Sequence, residues 1–170
     1  NGNLDLAKKL IDASINIGAD AVKFQKRNLQ SLYTKEALEN PNTESQGFEI
    51  LLAELKEIEL SKEDYFSIIH YCKEKKITFL CTPWDTPSVD FLEELETSAY
   101  KVASGDMTNF PLLKYISKTG KPMIISTGMS KIEEIEKMVS FVKTLNTQFV
   151  LLHANSTYPS PIESLNVSLI

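Results

Sequence analysis

Five short apolar runs recur along the chain, and each of them ends in polar residues. The runs cover residues 19–25, 77–83, 99–106, 123–129 and 149–158. Nearly continuous Val, Ile, Leu and Phe runs of this length are typical of parallel strands that are buried on both faces of a sheet. In the first run Lys23 and Gln25 lie two residues apart, so an extended chain points both side chains to one face. The pattern predicts a parallel sheet with polar groups at its carboxyl edge.

Helical spacing fills the segments between these runs. Apolar residues recur at intervals of three and four from Leu4 to Ile15, and Gly18 stands where a helix C-terminal glycine is expected. Further helices are predicted after Ser61, which has the capping-box spacing with Asp64, over 85–95, after Asn109 and after Ser130. Strands and helices therefore alternate, which indicates an α/β fold.

Two α/β architectures fit this alternation: an open doubly wound sheet and a (βα)8 TIM barrel. No glycine-rich dinucleotide motif or Walker loop follows any run, which weakens the nucleotide-binding form of the open sheet. Polar residues follow every strand, whereas an open sheet concentrates its chemistry at one switch point, so the barrel is favoured. We expect residues 1–170 to be an incomplete TIM-barrel domain containing about strands two to six. Strand one is expected before Asn1, and strands seven and eight after Ile170.

Composition excludes some classes of partner. The 170 residues carry 18 Lys and Arg against 23 Asp and Glu, a net charge of −5, and the longest basic cluster, 73–76, is interrupted by Glu74. Nucleic-acid binding needs clustered cations, so it is not expected. No apolar stretch approaches the roughly 18 residues of a membrane helix, and no signal-peptide pattern is present, so no membrane partner and a cytoplasmic location are expected. Cys72 and Cys81 lack metal-site or redox spacing and are predicted to be buried free thiols.

Five sequence motifs in order resemble the sialic acid synthase family. They are Asn1-Gly2-Asn3, residues 18–25, residues 100–106, residues 125–129 and residues 156–159. Each motif is weak alone, but together they span nearly the whole chain. The resemblance implies a TIM-barrel transferase that condenses phosphoenolpyruvate with an N-acylated amino sugar. It also implies a full-length protein that has a C-terminal antifreeze-like domain and forms a domain-swapped homodimer. The antifreeze-like domain is not found in these 170 residues, which are expected to be inactive alone.

The resemblance also assigns roles to individual residues. The phosphoenolpyruvate-binding positions are Lys23, Thr82, Lys101, Ser104 and Ser126, the sugar-binding positions are Gln25 and Tyr158, and the catalytic positions are Lys101 and Asp106. An anion with a phosphate and a carboxylate needs fixed cations and several donors, which these side chains can supply. Lys23 and Lys101 stand among apolar neighbours, which predicts that neither reaches water easily. The structural alternatives are a helix cap for Ser104 and Ser126, packing on Pro159 for Tyr158 and a turn position for Asp106.

A divalent metal, Mn²⁺ or Mg²⁺, is implied by the resemblance as the group that polarises the sugar aldehyde. The family places its metal ligands in histidine motifs that do not occur here, so the ligands are expected downstream of this chain. His70 is predicted to be structural on a helix, and His153 a satisfied pocket or core histidine.

The acceptor sugar is the least determined feature. N-acetylmannosamine or its 6-phosphate, giving N-acetylneuraminate or its 9-phosphate, is preferred, and a diacetamido-trideoxyhexose, giving legionaminate or pseudaminate, is the alternative. Another phosphoenolpyruvate-dependent sugar acid synthase and a non-catalytic phospho-ligand binding module stay open, because a fold does not fix a function. The long segment 27–47 is expected to be a flap that covers substrate.

Overall fold

The computed structural model of the chain describes residues 2–40 and 48–170, with side chains at all of them except 48–50. Asn1 of the first family motif and residues 41–47 of the expected flap lie outside the described residues. In the described part of that segment the chain forms two short helices: α2, Leu29–Leu32, and α3, Lys35–Glu39. Whether this segment covers substrate stays a prediction.

Five parallel strands form one sheet. They are β1, Ala21–Lys26; β2, Thr78–Pro83; β3, Tyr100–Val102; β4, Met123–Ser126; and β5, Phe149–Leu152. Their order in the sheet is their order in the sequence, and all four pairings are parallel. A doubly wound sheet reverses its strand order at a switch point, whereas a barrel adds each strand beside the one before. The α/β fold is therefore a partial barrel, as predicted.

The longer helices alternate with these strands. They are α1, Leu4–Asn16; α4, Phe48–Ile58; α5, Lys62–Lys75; α6, Thr86–Glu94; α7, Phe110–Ser117; and α8, Ile132–Thr144. Helix α1 contacts α5, and α7 contacts both α6 and α8. This arrangement is a helical layer on one side of the sheet. No helix among the described residues is long and apolar enough to cross a membrane.

Helix capping follows the sequence at most of these starts. Ser61 and Asp64 form the predicted capping box of α5, and the side chain of Asn109 accepts a hydrogen bond from the backbone N–H of Leu112 in α7. The prediction that Ser130 caps α8 is wrong. The cap position is Lys131, whose backbone N–H donates to Glu134 Oε2 at 2.8 Å, because that carboxylate reaches back over the first turn.

The core lies between the sheet and the helical layer. We call the side of the sheet that meets the helices the helix face; its fully buried side chains are Cys81, Tyr100, Met123 and Ile125. Helices contribute Ile11, Ile68, Leu92, Leu113 and Ile116, each no more than 1% exposed. Both cysteines are free and buried, as predicted, and burial raises the pKa of the Cys72 thiol to about 11 and that of Cys81 to about 12. These thiols are therefore unreactive at neutral pH.

Candidate active site

The opposite side of the sheet carries most of the predicted site residues. We call it the polar face, defined by Lys23, Gln25, Thr82, Lys101 and Ser126. Strand register brings them together: Gln25 pairs with Thr82, and the pairing of Cys81 with Tyr100 places Thr82 level with Lys101. Ser126 follows Ile124, the pairing partner of Lys101, by two residues and so shares its face. Four strands therefore contribute to one surface near the carboxyl edge, where barrel enzymes place their chemistry.

Lys101 is the most firmly held of these side chains. Its Nζ donates to Ser126 Oγ at 2.6 Å and to the backbone oxygen of Val102 at 2.7 Å. Partial burial, followed by repulsion from Lys23, lowers the pKa of Lys101 to about 8. The ammonium is thus fixed by two bonds and has no carboxylate partner among the ion pairs of the described residues. Such a cation is prepared for an anionic ligand.

Lys23 lies on the polar face, but the prediction that it is kept from water is wrong. Its side chain is exposed, because the helical layer covers only the other side of the sheet. Its neighbours still remove part of its hydration, and this desolvation is the main reason that the pKa of Lys23 is lowered. The nearby Cys81 raises that pKa, and the positive charge of Arg27 lowers it further. Lys23 is therefore an accessible cation in a positively charged neighbourhood.

Gly128 marks the meeting point of the loops that follow β3, β4 and β5. A Cβ atom built at Gly128 would lie 2.9 Å from Ser104 Oγ, 3.3 Å from Ser156 Oγ and 3.3 Å from the Ala154 carbonyl oxygen. Only glycine leaves room for these groups, so two hydroxyls lie against the backbone of the turn. The predicted site residue Ser104 thus joins the loop that follows Ser126. Sequence reasoning missed Ser156, although it stands in the 156–159 motif, because spacing alone does not show which loop atoms converge.

Asp106 ends the short 3₁₀ helix Ser104–Asp106 that follows β3. Burial raises the pKa of its carboxyl, a hydrogen bond from Asn109 Nδ2 to Oδ1 at 3.1 Å opposes that shift, and the charge of Asp85 adds to it. Oδ2 is buried and has no hydrogen-bond partner among the described residues. A carboxyl with one unoccupied oxygen and a raised pKa can take or give a proton near neutral pH more readily than an ordinary aspartate.

A second cluster lies where β1 and β2 end. Trp84 Nε1 and Arg27 Nη2 both donate to Gln25 Oε1, at 3.1 Å and 2.7 Å. The Arg27 guanidinium also lies over the Trp84 ring, with 4.6 Å from Cζ to the ring centroid. The predicted sugar-binding residue Gln25 is therefore oriented by two donors on one oxygen, which leaves its amide nitrogen as the group turned to a ligand. Sequence reasoning did not assign Arg27 or Trp84.

Three other residues for which the sequence made predictions lie outside these clusters. Tyr158 is 91% exposed, so it packs neither on Pro159 nor against the polar face, and its sugar contact stays a prediction. His153 is exposed rather than buried, but its Nε2 is paired with the Leu165 carbonyl oxygen at 2.5 Å, so the ring is satisfied as expected. His70 lies on α5 and pairs with Glu74, in agreement with a structural role.

No group of three His, Cys, Asp or Glu residues that could hold a metal ion occurs in residues 2–40 and 48–170. The carboxylate of Asp85 is already used: Oδ1 caps α6 by accepting from the backbone N–H of Ser88, and Oδ2 accepts from that of Asn28. These residues do not fit a metal site. The divalent metal stays a prediction, and no step proposed below passes through it.

Comparison with known proteins gives a consistent result. Residues 10–170 match the model of the NeuB family. The chain is 37% identical to human N-acetylneuraminate-9-phosphate synthase over 170 residues, which are 99% of this chain and 47% of that protein. It is also 37% identical to the N,N'-diacetyllegionaminic acid synthase of Campylobacter jejuni over 177 residues, 98% of this chain and 52% of that protein.

A solved structure supports the same relationship. The N-acetylneuraminic acid (sialic acid) synthetase of Leptospira borgpetersenii, in complex with citrate, superimposes with a TM-score of 0.85 at 31% identity. The match covers 99% of this chain and 55% of the Leptospira chain. The present chain thus spans about half the length of the relatives it matches. The resemblance to sialic acid synthases drawn from the five motifs is confirmed.

Proposed function

The chain belongs to the NeuB family, and we propose from this membership that the protein condenses phosphoenolpyruvate with an N-acylated hexosamine and releases phosphate. The observation that carries the proposal is the pair of lysines on the polar face. Lys101 is fixed by Ser126, and Lys23 approaches closely enough for the two charges to repel each other. Two cations that lack carboxylate partners among the described residues suit a ligand that carries both a phosphate and a carboxylate.

The donor would lie across the carboxyl edge of β1 to β4. Lys101 and Lys23 supply charge to its carboxylate and phosphate, and the hydroxyls of Ser104, Ser126 and Ser156 supply neutral donors. Gly128 leaves room for the hydroxyls of Ser104 and Ser156 beside the turn that follows β4. Such an arrangement holds phosphoenolpyruvate by fixed groups and replaces the water that would otherwise solvate it.

The proposed reaction forms a carbon–carbon bond, adds water and then breaks the C–O bond to phosphate. The enol carbon of phosphoenolpyruvate attacks the aldehyde carbon of the open-chain sugar, whose oxygen becomes a hydroxyl by taking a proton. Water adds to the resulting positively charged carbon and loses a proton. The C–O bond to phosphate then breaks as the carbon becomes a ketone, and the hydroxyl proton passes to the leaving phosphate. One proton is needed and one is released, so a single carboxyl can serve both steps. Asp106, with its unpartnered Oδ2, is the candidate.

The remaining assignments belong to the same proposal. The acceptor is N-acetylmannosamine or its 6-phosphate, supported by the human relative, and the Campylobacter relative supports a diacetamido-trideoxyhexose as the alternative with equal identity. Gln25 and Tyr158 would contact this sugar. For the whole protein we also propose a divalent metal, a cytoplasmic location and a domain-swapped homodimer. Its TIM-barrel domain would include these 170 residues as an incomplete part.

Steady-state kinetics on the full-length protein would test the proposal. Consumption of phosphoenolpyruvate would be followed with N-acetylmannosamine, its 6-phosphate and a diacetamido-trideoxyhexose, each with Mn²⁺ or Mg²⁺ present. We expect consumption that depends on one of these sugars and yields one phosphate per sugar acid. Binding of phosphoenolpyruvate without turnover with any of the three sugars would instead favour the non-catalytic binding module.

A further inference from the structure

Three cations follow one another across the polar face. Lys23 and Arg27 are four residues apart on β1 and its continuation, and Lys101 lies on β3. At the strand rise of about 3.3 Å per residue, the Cα of Arg27 is about 13 Å farther toward the mouth of the site than that of Lys23. Alternation keeps Lys23, Gln25 and Arg27 on one face, and the Arg27 to Gln25 hydrogen bond agrees with this. Positive charge is therefore present both at the depth of Lys23 and at the mouth, where Arg27 lies.

The charge at the mouth is not neutralised within the described residues. Neither Lys23, Arg27 nor Lys101 has a carboxylate within the 4.0 Å that defines an ion pair. The neighbouring Lys26, which points to the opposite side, is paired with Glu59. The cations of the row repel one another, so Arg27 lowers the pKa of Lys23 and Lys23 lowers that of Lys101. The row thus holds one cation more than the two lysines assigned to phosphoenolpyruvate.

Arg27 is held ready for a ligand. Its guanidinium rests on the Trp84 ring, and one nitrogen is tied to Gln25 Oε1. Little side-chain freedom remains to be lost on binding, and the other N–H groups of the fork are left for a planar or tetrahedral oxyanion. A guanidinium in this state is better suited to bidentate recognition than a flexible lysine at the same position.

The direction of the reaction determines which part of the substrate reaches Arg27. The aldehyde carbon of the acceptor must meet phosphoenolpyruvate beside Lys23 and Lys101. Register places Lys101 level with Gln25, so the opposite end of the sugar extends past Gln25 toward Arg27 at the mouth. We propose that Arg27 is the specificity-determining residue for that end and binds a phosphate group there. The acceptor is then a phosphorylated N-acyl hexosamine, a conclusion that rests on the proposed function.

The test compares two acceptors that differ only in this phosphate. Consumption of phosphoenolpyruvate by the full-length enzyme would be measured with N-acetylmannosamine and with N-acetylmannosamine 6-phosphate, in wild type, Arg27→Gln and Arg27→Lys. Lys143→Gln, which removes an exposed cation from α8, is the matched control.

We expect wild type to favour the 6-phosphate by about 10- to 100-fold in kcat/KM, the effect of a charge-assisted bidentate contact. Arg27→Gln should remove this preference through KM for the phosphorylated sugar, Arg27→Lys should keep part of it, and the control should keep all of it. A far-ultraviolet circular dichroism spectrum and a urea unfolding midpoint close to those of wild type would show that Arg27→Gln is folded.

Several results would overturn the inference. A wild-type preference for the unphosphorylated or the diacetamido sugar would do so while leaving the proposed function intact. A rise in KM for phosphoenolpyruvate in Arg27→Gln would assign the guanidinium to the donor instead. Loss of activity with both sugars in both Arg27 variants would also exclude a role confined to the acceptor. Absence of sugar-dependent consumption by wild type would remove the proposed function and this inference together.

Discussion

The two faces of the sheet are built from the same strands but differ in polarity and charge. In β3, Tyr100 and Val102 point to the helix face and are at most 1% exposed, whereas Lys101 between them points to the polar face and is half-buried. In β4, Ile125 and Ser126 divide in the same way. Apolar burial on one face stabilises the fold, while the other keeps charged groups that destabilise the empty site through mutual repulsion. Residues that stabilise the fold therefore alternate along each strand with residues of the candidate site, so mutations can test the two groups separately.

The largest effect should come from removing the central cation of the polar face. Lys101→Ala is expected to lower kcat/KM for phosphoenolpyruvate by about 10²- to 10⁴-fold, because it deletes a half-buried charge that two hydrogen bonds hold in place. Unfolding by urea should change little, since relief of repulsion with Lys23 offsets lost contacts. Lys143→Ala, at an exposed position of α8, is the control that should alter neither quantity. Near-normal kinetics in Lys101→Ala would refute the assignment of the polar face to the donor.

The opposite result is expected on the helix face. Ile125→Ala should lower the free energy of unfolding by about 2–5 kcal/mol, because it leaves a cavity at a fully buried position. The graded control Ile125→Val should cost about 0.5–1.5 kcal/mol. Full-length variants would be measured by chemical denaturation, with kcat/KM determined below the unfolding transition. A loss of kcat/KM in Ile125→Val as large as that in Lys101→Ala would show that the two faces are not separable.

How much could be predicted from sequence differs between the two faces as well. Buried strands such as β2 and β4 are visible as apolar runs, and capping pairs such as Ser61 with Asp64 mark helix starts, because both depend on local interactions. Helices α2 and α3 have four and five residues, too few to show a helical period, and the sequence analysis took their segment for a loop.

The sequence could place several predicted residues on one face of the sheet, but it could not give their contacts. Alternation along a strand places Lys23 with Gln25, and the family resemblance adds Lys101 and Ser126. Register between strands, which no single run encodes, decides that Lys101 bonds Ser126. Contacts between strand-end loops, such as those of Ser156 at Gly128, depend on the assembled sheet and were missed. The exposure of Lys23 was mispredicted because apolar sequence neighbours point to the other face.

The pH dependence of kcat/KM should report on the charge of the polar face. The pKa of Lys101 is lowered to about 8 in the folded protein, so its positive form predominates below pH 8 and is lost as the pH rises through that value. We therefore expect kcat/KM for phosphoenolpyruvate to fall by up to about tenfold per pH unit above 8, because that parameter follows the free enzyme. Lys101→Arg, which cannot lose its charge in this range, should lack the fall at whatever activity it retains. A wild-type profile that stays flat to pH 9.5 would contradict the assignment.

The smallest predicted effect concerns Thr82, which belongs to the polar face by register but is only 2% exposed. Its hydroxyl is either a donor for the ligand or part of the packing between Gln25 and Lys101, and burial alone does not separate these roles.

Thr82→Val keeps nearly the same shape and removes the hydroxyl. If the hydroxyl serves the ligand, kcat/KM should fall by about fivefold, the value of one neutral hydrogen bond, while the free energy of unfolding stays unchanged. Thr82→Ser, which keeps the hydroxyl and loses a methyl group, should show the reverse: nearly normal kinetics and a loss of about 1 kcal/mol in stability. Kinetics and urea denaturation on both full-length variants would decide between the roles. Normal kinetics in Thr82→Val with reduced stability would move this residue to the structural side of the comparison and leave Lys101 and Lys23 as the donor site's main determinants.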